Sequence, residues 1–388
     1  MGNNEDKIFT SQFFLIFGAL FFTSFVMYVL MSPITQYTTN MGASASVAGL
    51  ASGIYVIGGV ISLAHSGMAL QKWGWRNTAY VFLGLHLIVC FLYFISNSIE
   101  MILLVRFLHG LGMGAAGAAI ITIATPIFPK KRFGESMGYF LIGTPLAVGI
   151  GPAIGNYLID NVSAESCFII ATVFAVLALV CIFFVDIKEP KTENYNTRHE
   201  YSGIERFLEL KAIPLSVVAA LCSFGYVAII SFSGVYANEL ELESAFALFF
   251  IVYSIILIVA RPMGGKIQDK YGNWIVSIIP IIFQAIGVFL ISIYPSFVTV
   301  ILCAVCTGFG YGTFYSIANT IVTKNAPEER SSYAISTYLL ITDLAMGFSP
   351  AFLGLFATTG QYNNLFLVAA IITGSSLPLC VLVLRKMK

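Results

Sequence analysis

Charged side chains are rare inside the long apolar runs of this chain, and a charge at membrane depth is costly, so those few are the first candidates for chemistry. Asp343, in YLLITDLAMGFSP, stands about ten residues into its run, roughly 15 Å from the end at a helical rise and near mid-bilayer. Desolvation there disfavours the charged form, so the carboxyl could take and release a proton near neutral pH; the alternative is a structural acid paired with a neighbour. Arg106, in RFLHGLGMG, cannot lose its proton. It would bias a nearby acid, hold an anion or pair structurally, and His109 beside it is a weaker candidate for substrate contact. Tyr311, Tyr315 and Asn319 follow at four-residue steps on one helix face, and Tyr338 and Thr342 precede Asp343. A tyrosine has an apolar body and a hydroxyl tip, which suits a pocket for amphipathic solutes, although the same stripe also serves as packing. His65 and His86 read as interfacial or structural.

The elements that must position these residues follow from composition. With 58% hydrophobic and 10% charged residues, and a mean hydropathy of +0.88, the chain reads as a membrane protein. Apolar runs long enough to span a bilayer lie near 12–31, 46–66, 78–96, 100–125, 136–158, 166–185, 212–233, 244–262, 275–293, 297–321, 333–357 and 364–384. That predicts about twelve helices; continuous runs such as FIIATVFAVLALVCIFFV do not alternate as barrel strands must. The second, fifth and tenth runs are diluted by Gly and Ser, so their limits are the least defined. MGNNEDK has no basic region and no cleavage site follows the first run, so that run reads as a retained helix; myristoylation would need Ser or Thr in place of Asp6.

Apart from Arg106, Lys and Arg fall at alternate loops. Lys7, Lys72 with Arg76, Lys130 to Arg132, the basic residues of 188–211, Arg261 with Lys266 and Lys270, Lys324 with Arg330, and the C-terminal Arg385 to Lys388 lie on one side. The loops near 32–45, 97–99, 159–165, 234–243, 294–296 and 358–363 carry none. The positive-inside rule then places both termini and the long central loop in the cytoplasm of a cell-membrane protein. All seven cysteines lie in or beside apolar runs, which argues against disulfides, and the Cys303–Cys306 spacing reads as packing. No metal-spaced His/Cys set, phosphate-cradling loop or catalytic constellation emerges, so an enzyme, a cofactor and a nucleic-acid partner are not expected.

The chain also repeats itself. SGMALQKWGWR at 66–76 and GGKIQDKYGNW at 264–274 share a glycine, a lysine and a second glycine at an offset of 198. The same offset maps Gly110, Gly112 and Gly114 onto Gly308, Gly310 and Gly312, Pro129 and Arg132 onto Pro327 and Arg330, and Pro152 onto Pro350. A duplicated six-helix half follows: an N-terminal half at 1–185, a cytoplasmic linker at 186–211 and a C-terminal half at 212–388, pseudo-symmetric around a central cavity. Internal repeats with a site near the midplane characterise secondary transporters.

At these motifs the chain resembles the major facilitator superfamily. Its signature after the second helix, G-x-x-x-D-[RK]-x-G-[RK]-[RK], is met by Gly67, Lys72, Gly74 and Arg76, with Gln71 and Trp75 departing; in the second copy Gly265, Asp269, Lys270 and Gly272 match. Arg106 and Gly110 fit the fourth-helix signature, while Gly151, Pro152 and Gly155 fit the fifth-helix signature of the drug/proton antiporter branch, with Ala147 and Asn156 in place of its outer glycines. The resemblance implies an alternating-access transporter in the lipid bilayer, working as a monomer and exporting a small organic or amphipathic compound against protons, with Asp343 and Arg106 in coupling. Proton-coupled uptake of a small metabolite or organic anion is the alternative. It also implies that the acid of the repeated loop latches the halves, so that Asp269 would carry a charged contact that neutral Gln71 cannot.

Overall fold

The computed structural model describes residues 7–187, 208–327, 330–357 and 361–387, without the side chains at 134, 262, 265, 266, 269 and 332. Most of the linker expected at 186–211, the surroundings of Gly265 and the side chain of Asp269 therefore lie outside the described set. A backbone in lipid must satisfy its own hydrogen bonds, and the chain does so by coiling into helices. They are α1 (Ser11–Asn40), α2 (Ala45–Trp73), α3 (Trp75–Leu92), α4 (Ile99–Ala124), α5 (Phe133–Leu141), α6 (Gly143–Asn161), α7 (Ala164–Phe184), α8 (Ile213–Leu240), α9 (Glu243–Tyr271), α10 (Asn273–Ile293), α11 (Phe297–Phe309), α12 (Tyr311–Asn325), α13 (Ser331–Gly354) and α14 (Asn363–Lys386). Among the described residues twelve stretches are long and apolar enough to cross a membrane, in agreement with the number of apolar runs. The fifth and tenth runs, diluted by small residues, are each divided: α5 meets α6 at Ile142, and α11 meets α12 at Gly310, whose backbone leaves helical values at ψ −95°.

The duplication reappears in how helices begin and turn. Ser98 and Ser296, 198 positions apart, each accept a bond from the backbone N–H three residues on and so cap α4 and α11. Arg132 and Arg330 each donate their backbone N–H to the proline carbonyl three residues back. Gly74 and Gly272 each form a one-residue joint between helices at φ +81° and +77°, a region that a side chain makes strained. The second glycine of the repeated loop is thus a backbone requirement in both copies.

Contacts divide the described residues into two compact units: 7–42 together with 54–187, and 43–53 together with those from 208 onward. The first unit buries an apolar cluster that includes Phe13, Ile16, Leu83, Ile120, Ile123 and Phe140. In the second, α13 carries Asp343 and is held at both ends. Its entry is clasped by Arg330, which pairs with Glu209 and donates Nη2 to the Leu208 carbonyl at 2.7 Å. The Glu209 backbone N–H in turn reaches the Thr337 hydroxyl at 2.9 Å, and both charged side chains are under 8% exposed. The equivalent Arg132 pairs with Glu135, one turn away, and that pair is 44% exposed on each side.

The far end of α13 packs against the start of α2. A Cβ at Gly53 would run into the Gly347 carbonyl oxygen, and one at Gly49 into that of Pro350, so the two backbones touch with no side chain between them. Ser46 donates to the Ala351 carbonyl at 2.7 Å and Ser52 to the Ser231 hydroxyl at 3.0 Å. This seam explains why residues 43–53 pack with the second unit while the rest of α2 belongs to the first.

Two substitutions, each with a control, test these anchors by thermal unfolding in detergent. Gly53→Val should overpack the seam and cost about 1–3 kcal/mol, whereas Gly67→Ala, facing open space, should leave the midpoint nearly unchanged. Glu209→Gln should cost about 3 kcal/mol, because it strands a buried arginine, while Glu135→Gln, on the exposed pair, should have little effect.

Candidate functional site

Each unit holds a cluster of polar aromatic side chains. In the second unit it is built on α8, α9, α12 and α13. Tyr226 stacks on Tyr311 with ring centroids 4.5 Å apart and lies 5.7 Å from Tyr253. Tyr311 continues to Tyr315 at 5.6 Å, and Tyr315 to Tyr338 at 5.5 Å. Four-residue spacing on α12 aligns Tyr311, Tyr315 and Asn319 on one face, as the sequence implies. Tyr311 points its hydroxyl at the Met346 sulfur, 3.3 Å away, and Tyr338 donates to the Tyr315 carbonyl at 2.7 Å.

Burial separates these residues. Tyr338 is fully buried and Tyr311 5% exposed, so both serve as packed walls, while Tyr315 and Asn319 keep accessible surface. Asn319 also presents a buried amide oxygen with no hydrogen-bond partner among the described residues, an acceptor open to a ligand donor. Asp343 keeps partial exposure and lies within electrostatic range of Tyr311 and Tyr338. Among the described residues it forms no ion pair. A carboxyl with aromatic walls, some solvent access and no fixed cation can change its charge without breaking a salt bridge.

In the first unit Arg106 is fully buried on α4, its guanidinium 4.5 Å above the Tyr55 ring of α2 and hydrogen-bonded to Tyr93. Stacking on an aromatic face suits a delocalised, weakly hydrated cation. The Tyr93 hydroxyl also meets His109 Nδ1 at 3.0 Å, Cys90 Sγ lies 3.6 Å from His109 Nε2, and the His86 and His109 rings sit 4.3 Å apart. Neither His109 nor His86 is exposed, so His109 is placed in the packed interior of its unit. Gly110 lies against the Tyr55 backbone, and Gly151 and Gly155 against α1 at Tyr28 and Val29, with Pro152 buried between them in α6. Gly67, Gln71, Lys72 and Arg76 sit around the joint at Gly74, away from both clusters in sequence. Among the described residues no three His, Cys, Asp or Glu side chains converge as metal ligands would.

Tyr226, Tyr253, Tyr55 and Tyr93 were not singled out by type or local spacing. A signal existed: Tyr28 and Tyr226, and likewise Tyr55 and Tyr253, are 198 positions apart. The two halves therefore place tyrosines at equivalent points of their first and second helices.

Twelve apolar helices among the described residues define a multi-pass membrane protein. The family model of the Major Facilitator Superfamily matches residues 15–350 and 245–388, and the chain belongs to that family. It is 22% identical over 384 residues to an uncharacterized MFS-type transporter of Methanocaldococcus jannaschii, covering 96% of each chain. It is also 22% identical over 369 residues to Multidrug resistance protein 1 of Bacillus subtilis, covering 92% of each. Among solved structures, the nucleoside transporter NupG, in a mutant form, superposes with a TM-score of 0.80 at 13% identity, covering 98% of this chain and 100% of that one, which bears on the fold alone.

Arg106→Lys tests the first-unit cluster. A compact ammonium cannot both cover the Tyr55 ring and reproduce the donor fork, so the variant should lose about 2 kcal/mol. A thermal midpoint equal to wild type would show that charge alone suffices there.

Proposed function

We propose that this transporter is a proton-coupled exporter of a small organic or amphipathic compound, working by alternating access with Asp343 as the proton-carrying group. The observation that carries this reading is the setting of Asp343: a carboxyl inside a membrane-spanning helix, without an ion pair among the described residues and beside a tyrosine cluster. Two states of charge at such a point give the protein two states of electrostatic energy, which a proton gradient can drive in cycle. Tyr315 and Asn319, the accessible members of the stripe, are the proposed substrate contacts, with Tyr311 and Tyr338 supporting them.

Export is favoured over uptake by the fifth-helix motif of Gly151, Pro152 and Gly155 and by similarity to a multidrug resistance protein. The uptake reading needs Arg106 to hold an anionic solute. Its complete burial on Tyr55 favours a structural part for it, biasing the charge balance of the first unit. The proposed organisation is two six-helix halves, 1–185 and 212–388, joined by a cytoplasmic linker, in a monomer with both termini cytoplasmic in the cell membrane. The repeated loop would act as a lopsided latch, with Asp269 making the charged contact and Gln71 the weaker one.

The test is flux in proteoliposomes under an imposed pH gradient, using a compound chosen by thermal stabilisation of the purified protein. Asp343→Asn should abolish gradient-driven uphill movement while substrate exchange persists. Full uphill flux in the variant would remove Asp343 from coupling, and inward movement with protons would replace export by uptake.

A further inference from the structure

The second unit has a groove away from its tyrosine cluster. It is a cavity of about 290 Å³ between α9, α10, α11 and α12, with Gly264, Pro280 and Thr313 in its floor and Ile267, Ile279 and Phe309 along its rim. Floor and rim differ in burial: Gly264, Pro280 and Thr313 are buried, while Ile267, Ile279 and Phe309 are between 36% and 46% exposed. Among the described lining residues Thr313 supplies the one polar side chain. A pocket for a polar solute needs several placed donors and acceptors, and the described lining is otherwise apolar. A hydrocarbon chain needs none.

The end of the groove differs in character. On α9, Lys270 and Tyr271 lie three and four residues beyond Ile267 and so continue its face, and Lys270 Nζ sits 5.0 Å from the Tyr271 ring centroid. Both are exposed. Trp274 stands one residue before the lining residue Ile275 at the start of α10. Lysine, tyrosine and tryptophan at the end of an apolar span are the groups that sit at headgroup level in a bilayer. At the opposite end of the α9 lining, Arg261 follows Ala260, and its Nε reaches the Gly312 carbonyl at 3.4 Å. Apolar lining, interfacial aromatics and the Lys270 cation thus occur in the order in which a phospholipid presents its own parts.

We propose that this groove is a binding site for an anionic phospholipid, with one acyl chain laid over Gly264 and Pro280 and the phosphate at Lys270. Charge complementarity selects an anionic over a zwitterionic headgroup, by about fivefold for one lysine near the membrane surface. The site stands independently of the proposed transport cycle.

Quenching by brominated lipids tests it. In the W73F/W75F background Trp274 is the sole tryptophan. The protein is reconstituted in phosphatidylcholine vesicles containing a small fraction of chain-brominated phosphatidylglycerol or, in parallel, chain-brominated phosphatidylcholine. The expected result is half-maximal quenching at about fivefold lower fraction of the anionic lipid. Lys270→Gln should remove this preference, and Ile279→Phe, which fills the rim, should weaken quenching by the anionic lipid. Equal quenching by both lipids in the parent protein would overturn the proposal without any further variant, since the groove would then face bulk lipid only. A preference that survives Lys270→Gln would overturn the headgroup placement, and one indifferent to Ile279→Phe would overturn the chain placement. An added neutral amphiphile is expected to leave quenching by the brominated anionic lipid unchanged; strong relief of that quenching would overturn the lipid assignment and mark the groove as a solute site.

Discussion

The cost of holding charge and unpaired backbone away from water governs this molecule. It forces the chain into helices, confines lysine and arginine largely to helix ends, and leaves a handful of ionisable groups at depth. Those groups are then managed in different ways. Arg106, which cannot shed its proton, is packed onto an aromatic ring and hydrogen-bonded. Arg330, near a helix entry, is given a carboxylate, a carbonyl and the face of Tyr333, 5.0 Å away. Asp343 has no such fixed partner among the described residues, and it is the group that a proton can neutralise.

This contrast turns α13 into the centre of the account. Glu209 and Arg330 fix its beginning, and the seam at Gly49 and Gly53 fixes its end. Between them Tyr338 is locked by its bond to the Tyr315 carbonyl, while Asp343 retains exposure. A helix anchored at both ends holds a reactive side chain in register. Pro350, inside the same helix and at the seam, removes one backbone donor where α2 approaches most closely.

Much of this was legible in the sequence because it rests on local pattern. Apolar runs gave the twelve spans, and the offset of 198 tied Gly74 to Gly272 and Pro129 to Pro327, which recur as matching joints and turns. The Tyr311, Tyr315, Asn319 stripe needed only helical periodicity. What could not be read depends on partners distant in the chain. Glu209 meets a residue 121 positions away, and Gly53 meets Gly347 because two helices cross there, which no local spacing encodes. The joints at Ile142 and Gly310 fell in runs already weakened by small residues, but where a helix yields is set by its neighbours: a Cβ at Gly310 would stand 2.8 Å from Gln284 Cβ. Tyr226 and Tyr253 were hidden for a different reason, since only the repeat, and not their surroundings, marks them.

The central proposal is that Asp343 carries the proton for which the transported solute is exchanged, so that the proton on Asp343 and the bound solute exclude one another. Proton release measures this directly: a transported compound is added to purified protein in weakly buffered detergent solution while a pH indicator is followed. The account predicts acidification on binding in wild type and none in Asp343→Asn at equal occupancy. Equal proton release from both proteins, or none from wild type, would contradict it.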